Sequence, residues 1–340
     1  MTVLVTGGLG YIGSNTICEL LDRKEEVVVF DNLSNSTVEV FSKIKNLYPF
    51  GKIHFLKTSL LDFEKMDSFL MDFKVSSVIH FAGLKSVPES FDKPIDYYKN
   101  NISGTINLLN LMDKHSIYNL VFSSTAALYG NLNLNSSNEL DKVNIINPYS
   151  FTKLSIEKIL ENLSKDLSKW KFVCLRYFNP VGSDQSNNFG DNPNIPTNIF
   201  PLIGKAALDK SVNFEVYGDD YDTPDGSGMR DYIHITDLAT AHISALEFLD
   251  SDESLKNREN FEIFNVGTGK SFSVFEVIRE YEKASGKNIK FKILNRRKGD
   301  IAYSCADVSR INNLMGWTAK RNLQDMCLSD WQFRLRTRER

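Results

Sequence analysis

Thr2-Val3-Leu4-Val5-Thr6-Gly7-Gly8-Leu9-Gly10-Tyr11-Ile12-Gly13-Ser14 is a short apolar run, a glycine cluster and the opening of an amphipathic stretch, in that order. The run reads as a strand, and residues 11–23 carry apolar side chains at helical spacing. Between them, Gly7, Gly10 and Gly13 permit a tight turn, let backbone N–H groups approach a pyrophosphate and let helix and sheet pack closely. The helix N-terminus then stabilises the anion. A second strand, residues 26–31, ends on Asp31. A carboxylate there accepts hydrogen bonds from both ribose hydroxyls and repels a 2′-phosphate, so the expected cofactor is NAD rather than NADP.

The same rhythm continues. Strands are expected at 52–57, 77–82, 120–124 and 172–177, and helices at 95–115 and 149–165, with Asp62 capping a short helix. Strands alternating with helices of this length require crossovers, hence a parallel sheet. The fold class is therefore α/β, a Rossmann-type doubly wound parallel sheet. After residue 177 the rhythm breaks. Residues 183–198 and 218–228 read as long loops, helices are expected at 200–208, 236–249 and 274–284, and short strands at 261–266 and 289–293. The expected organisation is an NAD-binding domain over 1–177 and a smaller, less regular C-terminal α/β substrate domain mainly over 178–340. The tail, with Arg334, Arg336, Arg338 and Arg340, reads as a solvated, frayed terminus.

Composition narrows the function classes. The chain has 340 residues, 42% hydrophobic and 24% charged, which excludes wholesale disorder. Forty basic against 43 acidic residues leave no electrostatic footprint for nucleic acid. Apolar runs such as Val27–Phe30 fall far short of the roughly 18 residues of a membrane span, and the opening residues carry no signal-peptide pattern. Cys18, Cys174, Cys305 and Cys327 are too dispersed for a metal site or a disulfide framework. A cytoplasmic location is expected.

Tyr149-Ser150-Phe151-Thr152-Lys153 places a phenol and an ammonium four residues apart on one helix face. An ammonium beside a phenol is expected to lower a pKa that is ordinarily about 10 and so make a base. Tyr48-Pro49-Phe50-Gly51-Lys52 has the same spacing, but Pro and Gly argue against a helix there. Ser123-Ser124-Thr125 ends a strand on the side where ligands bind in open α/β sheets; a hydroxyl there serves equally as a hydrogen-bond donor to a reacting alcohol or as a turn cap.

These motifs, together with residues 30–36, His80-Phe81-Ala82-Gly83-Leu84-Lys85, Tyr97-Tyr98-Lys99-Asn100-Asn101, residues 175–182, residues 225–234 and Arg296-Arg297-Lys298-Gly299-Asp300, resemble the UDP-glucose 4-epimerases. These belong to the extended short-chain dehydrogenase/reductases. The resemblance runs end to end. It implies Tyr149, Lys153 and Thr125 as catalytic residues and a UDP-sugar as substrate. It implies NAD contacts from Gly7, Gly10, Tyr11, Ile12, Gly13, Asp31, Asn32, Leu33, Ser34, Asn35 and Ser36. Further NAD contacts would come from Ser59, Leu60, Phe81, Ala82, Gly83, Leu84, Lys85, Asn100, Thr125, Tyr149, Lys153 and Phe178. Substrate contacts would come from Lys85, Thr125, Tyr149, Asn179, Asn198, Ile199, Tyr217, Arg230, Arg297, Asp300 and Ser304. Where the family often has an acidic residue and an aliphatic one near the adenine, this chain has Ser59-Leu60, and its catalytic hydroxyl is threonine rather than serine.

The resemblance implies transient oxidation at C4 of the sugar, a 4-keto intermediate and hydride return to its other face. Sugar 4,6-dehydratases and UDP-glucuronate decarboxylases resemble this fold too. Dehydratases typically carry carboxylates directly after the catalytic threonine, where this chain has Ala126 and Ala127. A non-catalytic NAD-sensing regulator would have no use for Tyr149, Lys153 and Thr125 together. Aligned with the family, Ser304 walls the sugar pocket where a tyrosine excludes N-acetyl sugars. The family's dimers pack two helices per subunit, for which the candidates are 95–115 and 149–165. Their Ile106, Leu109, Ile156 and Leu160 suit core and interface equally.

Overall fold

A computed structural model describes residues 1–130, 136–167, 169–193, 196–251, 260–297 and 300–338. Its elements are β1 (Thr2–Thr6), α1 (Tyr11–Asp22), β2 (Glu26–Asp31), α2 (Val38–Leu47), β3 (Ile53–Lys57), α3 (Phe63–Leu70), β4 (Ser77–His80), α4 (Val87–Asp92), α5 (Pro94–Tyr97), α6 (Gly104–Lys114), β5 (Asn119–Ser123), α7 (Pro148–Asp166) and β6 (Lys171–Tyr177). There follow β7 (Asn179–Val181), α8 (Ile199–Leu208), β8 (Phe214–Tyr217), β9 (Met229–His234), α9 (Ile235–Asp250), β10 (Phe261–Val266), β11 (Ser271–Ser273), α10 (Val274–Ser285), β12 (Phe291–Leu294), β13 (Tyr303–Ser304), α11 (Ser309–Met315) and α12 (Leu323–Arg338). The chain divides into two compact units. The first comprises 1–130, 142–177 and 239–264; the second comprises 131–141, 178–238 and 265–340.

The first unit is built on a seven-stranded sheet in the order β10-β6-β5-β4-β1-β2-β3, parallel from β6 through β3. The order reverses beside β1, so a ligand crevice lies beyond the C-terminal ends of β1 and β4. Strands covered on both faces read as continuous apolar runs, which is why the sequence displays them so plainly. Leu4, Val28, Val78, Leu120 and Phe172 pack with Leu108 and Met112 of α6 and Ile156 and Leu160 of α7. Leu109, Ile156 and Leu160 are thereby core residues, while Ile106 stays 43% exposed. The stretch expected as one helix over 95–115 contains a π-helical turn, Tyr98–Ser103, between α5 and α6. Asp62 does cap α3, accepting from the Lys65 N–H at 3.3 Å.

In the second unit β9 pairs with β7, β11 and β13, and β12 pairs with β8. Phe200, Ile203, Tyr232, Val277, Tyr281, Met326 and Trp331 form its core, drawing on α8, β9, α10 and α12. The expected frayed tail is wrong for Arg334. It is buried on α12, bonded to both oxygens of Asp330 at 2.8 and 3.2 Å and to the Asp191 carbonyl at 2.9 Å. Arg336 is exposed and donates to the Ser186 carbonyl. Arg340 lies outside the described residues. Among the described residues no helix is long and apolar enough to cross a membrane.

Candidate active site

The glycine turn is closed by sterics. Gly7 has φ +65°, and a Cβ there would stand 2.7 Å from the Ala82 nitrogen; one at Gly13 would stand 2.5 Å from the Gly7 carbonyl oxygen. Neither position admits a side chain. Gly10 opens α1 without a side-chain cap, so the positive end of the helix faces the turn. Asp31 is buried at the end of β2 and gathers the loops around it. Its Oδ2 accepts from Leu9 N–H at 3.0 Å, and its Oδ1 accepts from Leu33 N–H at 2.8 Å and Ser36 Oγ at 2.9 Å. A carboxylate has about four acceptor positions, so Asp31 retains capacity for a ligand hydroxyl. Leu33 is held at φ +62°, an unusual backbone for a branched side chain.

Beyond β4, Phe81, Ala82, Gly83, Leu84 and Lys85 form a loop that Asn101 fastens. Asn101 Oδ1 accepts from Leu84 N–H at 2.8 Å and from Asn100 Nδ2 at 3.0 Å. Its Nδ2 donates to Leu84 O at 3.0 Å and to Thr152 Oγ1 at 3.1 Å. The π turn is what brings Asn101 round to face both the loop and α7, a use of π bulges common at functional sites. A further chain of bonds runs from the glycine turn. Thr6 Oγ1 lies 2.7 Å from His80 Nδ1, His80 Nε2 lies 2.9 Å from Thr105 Oγ1, and Thr105 donates to the Asn101 carbonyl at 2.6 Å. Burial, helped by the charge of Lys153, pushes His80 down to about 3, so it is neutral. Sequence reading missed Asn101 and His80 as organisers. The signal was present in the doubled amide Asn100-Asn101 and in a histidine inside an apolar strand.

Asn147 caps α7 through Ser150 N–H at 2.7 Å, which sets Tyr149 in the first turn and Lys153 one turn later. Tyr149 is 7% exposed and Lys153 5%. Thr125 begins the 3₁₀ turn Ala126–Leu128, accepting from Ala127 N–H at 3.2 Å, and its hydroxyl lies near enough to the Tyr149 phenol to influence its ionisation. Thr125 is thus a turn cap, one of its two expected readings. Lys153 Nζ donates to the Ser123 carbonyl at 2.7 Å and stands 4.7 Å from the Phe122 ring centroid and 6.0 Å from that of Tyr149. The expected lowering of the phenol pKa is not found. Burial dominates, Tyr177 adds to it, and the phenol is raised despite the opposing influence of the Thr125 hydroxyl. Burial also brings Lys153 down to about 8, against the opposing influence of Glu157 and Cys174. Tyr48, the decoy, follows the end of α2 and takes no part. Ser59 accepts from Leu61 N–H at 3.2 Å, and Leu60 is buried in the core.

The second unit carries the remaining candidates. Arg297 stacks 4.3 Å from the Tyr217 ring centroid and bonds Asp300 at 3.1 Å. Asn198 donates to Asp191 at 2.8 Å, immediately before Ile199 opens α8. Asn179 is in register with Tyr232, and Phe178 N–H donates to Val266 O at 3.0 Å. Ser304 is in register with Arg230 on the paired strands β13 and β9. Neighbouring Tyr303 is in register with Met229 on the same pair of strands.

The family model described as GDP-mannose 4,6 dehydratase matches residues 4–329. The chain is 42% identical over 335 residues to the UDP-glucose 4-epimerase of Bacillus subtilis, covering 98% of this chain and 96% of that one. It superposes with a TM-score of 0.95, at 39% identity over 100% and 99% of the two chains, on the UDP-glucose 4-epimerase of Stenotrophomonas maltophila crystallised with NAD and formylated UDP-arabinopyranose. The UDP-Glc/GlcNAc 4-epimerase of Campylobacter jejuni follows at TM-score 0.84 and 33% identity, covering 98% and 99%. The full-length likeness is to UDP-glucose 4-epimerases on both sequence and structure: the chain belongs to the UDP-glucose 4-epimerase family.

Proposed function

We propose that this protein is a UDP-hexose 4-epimerase that interconverts UDP-glucose with UDP-galactose, and UDP-N-acetylglucosamine with UDP-N-acetylgalactosamine, on tightly held NAD. The observation that carries the reading is the convergence of Thr125 and Lys153 on the buried Tyr149 phenol, at the C-terminal end of β5. The glycine turn that a Cβ would fill, the uncapped start of α1 and the Asp31 carboxylate fit a dinucleotide. NAD supplies the chemistry of hydride removal from C4 and its return to the other face of the keto sugar.

The chain's own residues handle the proton and the alignment. Tyr149 takes the 4-hydroxyl proton and later gives it back. Thr125 donates to the sugar oxygen. Lys153, charged below about pH 8, holds positive charge beside the phenol and stabilises negative charge as it develops there. Tyr149 must be a phenolate to take that proton, and burial opposes its ionisation; the Lys153 ammonium and a cationic cofactor, when bound, would favour the ionised form. Asp31 with the loop 32–36 and the Phe81–Lys85 segment hold NAD in the first unit. In the second, Arg230 and Arg297 suit a diphosphate, because a guanidinium fork matches phosphate oxygens. Dehydration lacks its acid and base at Ala126 and Ala127.

Ser304 supports acceptance of N-acetyl sugars, since a small side chain leaves room for an acetamide and the preceding Tyr303 falls on the opposite face of the strand. A cytoplasmic homodimer completes the proposal. Exposed Ile95, Ile106 and Phe151, with Tyr98 edge-on to Phe151 at 5.7 Å, give α5, α6 and α7 an apolar face for it. The test is incubation with each of the four UDP-sugars, without added NAD, followed by resolution of the epimers. Product from both pairs is expected. Reduction of bound NAD without any epimer, or no reaction at all, would refute the epimerase assignment.

A further inference from the structure

Glu157 and Arg176 form an ion pair inside the first unit, their side chains 2% and 4% exposed, with Arg176 Nη2 2.7 Å from Oε2 and Nε 3.0 Å from Oε1. Neither residue is among the catalytic, cofactor or substrate residues that the resemblance implies, although Arg176 lies within the motif 175–182. Burying two charges is unfavourable unless the geometry is good and further hydrogen bonds satisfy both groups, and apolar replacements of similar volume often serve a fold equally well. What the pair is bonded to is therefore informative.

Two further bonds run to the segment that carries Thr125. Ser124 Oγ donates to Glu157 Oε1 at 2.5 Å, and Arg176 Nη1 donates to the Tyr129 hydroxyl oxygen at 3.2 Å. Ser124 directly precedes Thr125, and Tyr129 directly follows the 3₁₀ turn that Thr125 begins. The pair thus holds that turn at both ends. Its acidic member sits on α7, four residues after Lys153 and eight after Tyr149, which is one helix face.

Resting on the epimerase reading, we infer that Glu157 and Arg176 are positioning residues of the reaction: the pair locks the Thr125 turn to α7, fixing the threonine hydroxyl against the Tyr149 phenol, while the Glu157 carboxylate backs the Lys153 ammonium. The groups that face Lys153 are Tyr149 and Glu157 on its own helix, Cys174 on β6 and His80 on β4. Burial keeps the Cys174 thiol and the His80 ring neutral, so Glu157 is the carboxylate in this set. Arg176, on the far side of Glu157, is bound to it rather than to Lys153.

Two variants separate position from charge. Glu157→Gln removes the charge and disturbs the link, whereas Ser124→Ala cuts only the link. With NAD content and KM within twofold of wild type, both are expected to lower kcat, by about 100-fold for the Gln variant, the scale of a misplaced reacting group. The alkaline limb of the kcat profile is expected to move to lower pH by about one unit in Glu157→Gln and to stay in place in Ser124→Ala. Unchanged kcat in both variants overturns the positioning role. So does loss of NAD and substrate binding in parallel with kcat, which marks a merely structural pair. An unmoved limb in Glu157→Gln overturns the role of its charge.

Failure of the epimerase reading is visible separately, as a wild type inactive on every UDP-sugar. Two readouts then still decide the inference in the NAD-loaded protein. The ¹³Cε signal of Lys153, identified by its loss in Lys153→Met, is expected to titrate at lower pH in Glu157→Gln than in wild type. Amide exchange over residues 124–129 is expected to quicken in both variants. Identical titrations and identical exchange overturn it.

Discussion

Lys153 spends its hydrogen bond on a neighbour other than Tyr149: its Nζ lies 2.7 Å from the Ser123 carbonyl oxygen, at the end of β5, and 6.0 Å from the phenol's ring centroid. The ammonium is thereby fixed to the sheet. In the proposed reaction it would act on the phenol through space, from a stationary point, and its own ionisation would set an upper pH limit on that action.

Replacing Tyr149 by phenylalanine keeps the ring and its packing and removes the proton carrier. Epimerisation should fall by at least about 100-fold, the usual scale for a positioned acid or base, with NAD content unchanged. In the wild type, turnover should decline above about pH 8 as Lys153 loses its proton. Steady-state rates between pH 6 and 10 check both; near-normal turnover in Tyr149→Phe would remove Tyr149 from the chemistry.

Cofactor retention follows from the reaction being redox-neutral, so that no step calls for release. Protein purified without added nucleotide and then denatured should liberate roughly one NAD per chain. Asp31→Ala should lose most of it, since Asp31 also holds Leu9, Leu33 and Ser36 in place. An empty wild type that takes up only NADP would contradict the role of Asp31.

Self-association should depend on the exposed apolar residues of α5, α6 and α7. Light scattering is expected to give a dimer. Ile106→Glu, at a 43% exposed position, should shift it toward monomer without unfolding, whereas the same change at core Leu109 should unfold the protein. A wild type that is monomeric at every concentration would refute the dimer.

His234 is buried in the second unit between Thr236 N–H and Ser329 Oγ, at 3.2 and 3.0 Å, and burial brings it from 6.5 down to about 3. Between those values the unfolded chain binds a proton that the folded chain refuses, so this residue's contribution to stability falls as pH falls. The loss is about 1.4 kcal/mol per pH unit. Urea unfolding of His234→Gln should show a pH dependence between 6 and 4 shallower than wild type by that amount. Equal slopes would mean that the ring is protonated in the folded state.

Ser304→Tyr should suppress the N-acetyl pair selectively. An acetamido group puts four heavy atoms at C2 in place of one hydroxyl oxygen, and a phenol at this position would take that space. Competing UDP-Gal and UDP-GalNAc assays check it. A wild type that ignores UDP-GalNAc, or a variant that loses both pairs alike, would refute the gate.

How legible all this was depended on local chemistry. β1, β2 and β5 are apolar runs bounded by turn residues, and the glycine turn declares itself because nothing but glycine fits at Gly7 and Gly13. The short strands β7, β9, β11 and β13 were not legible, since two to six residues with buried Asp231 and half-buried Arg230 among them show no alternation. Helix α12 was hidden by Asp330 and Arg334, charges that sit on its buried face because they neutralise each other and bond Tyr281. The Tyr149–Lys153 pair was legible from spacing. Its electrostatics were not, because burial, which raises the phenol, is a property of the folded chain.

The first unit's sheet is completed at β6 by β10, a strand supplied by residues far along the chain. During synthesis every parallel strand from β1 to β6 is therefore finished well before β10 leaves the ribosome, and β6 waits with an unpaired edge. An open edge of this kind is a template for pairing with other chains, and the delay lengthens with each residue of the intervening segment. The interval between Tyr177 and Phe261 is thus the most aggregation-exposed stage in the birth of this protein, and a chaperone or a slow stretch of translation would act there to greatest effect.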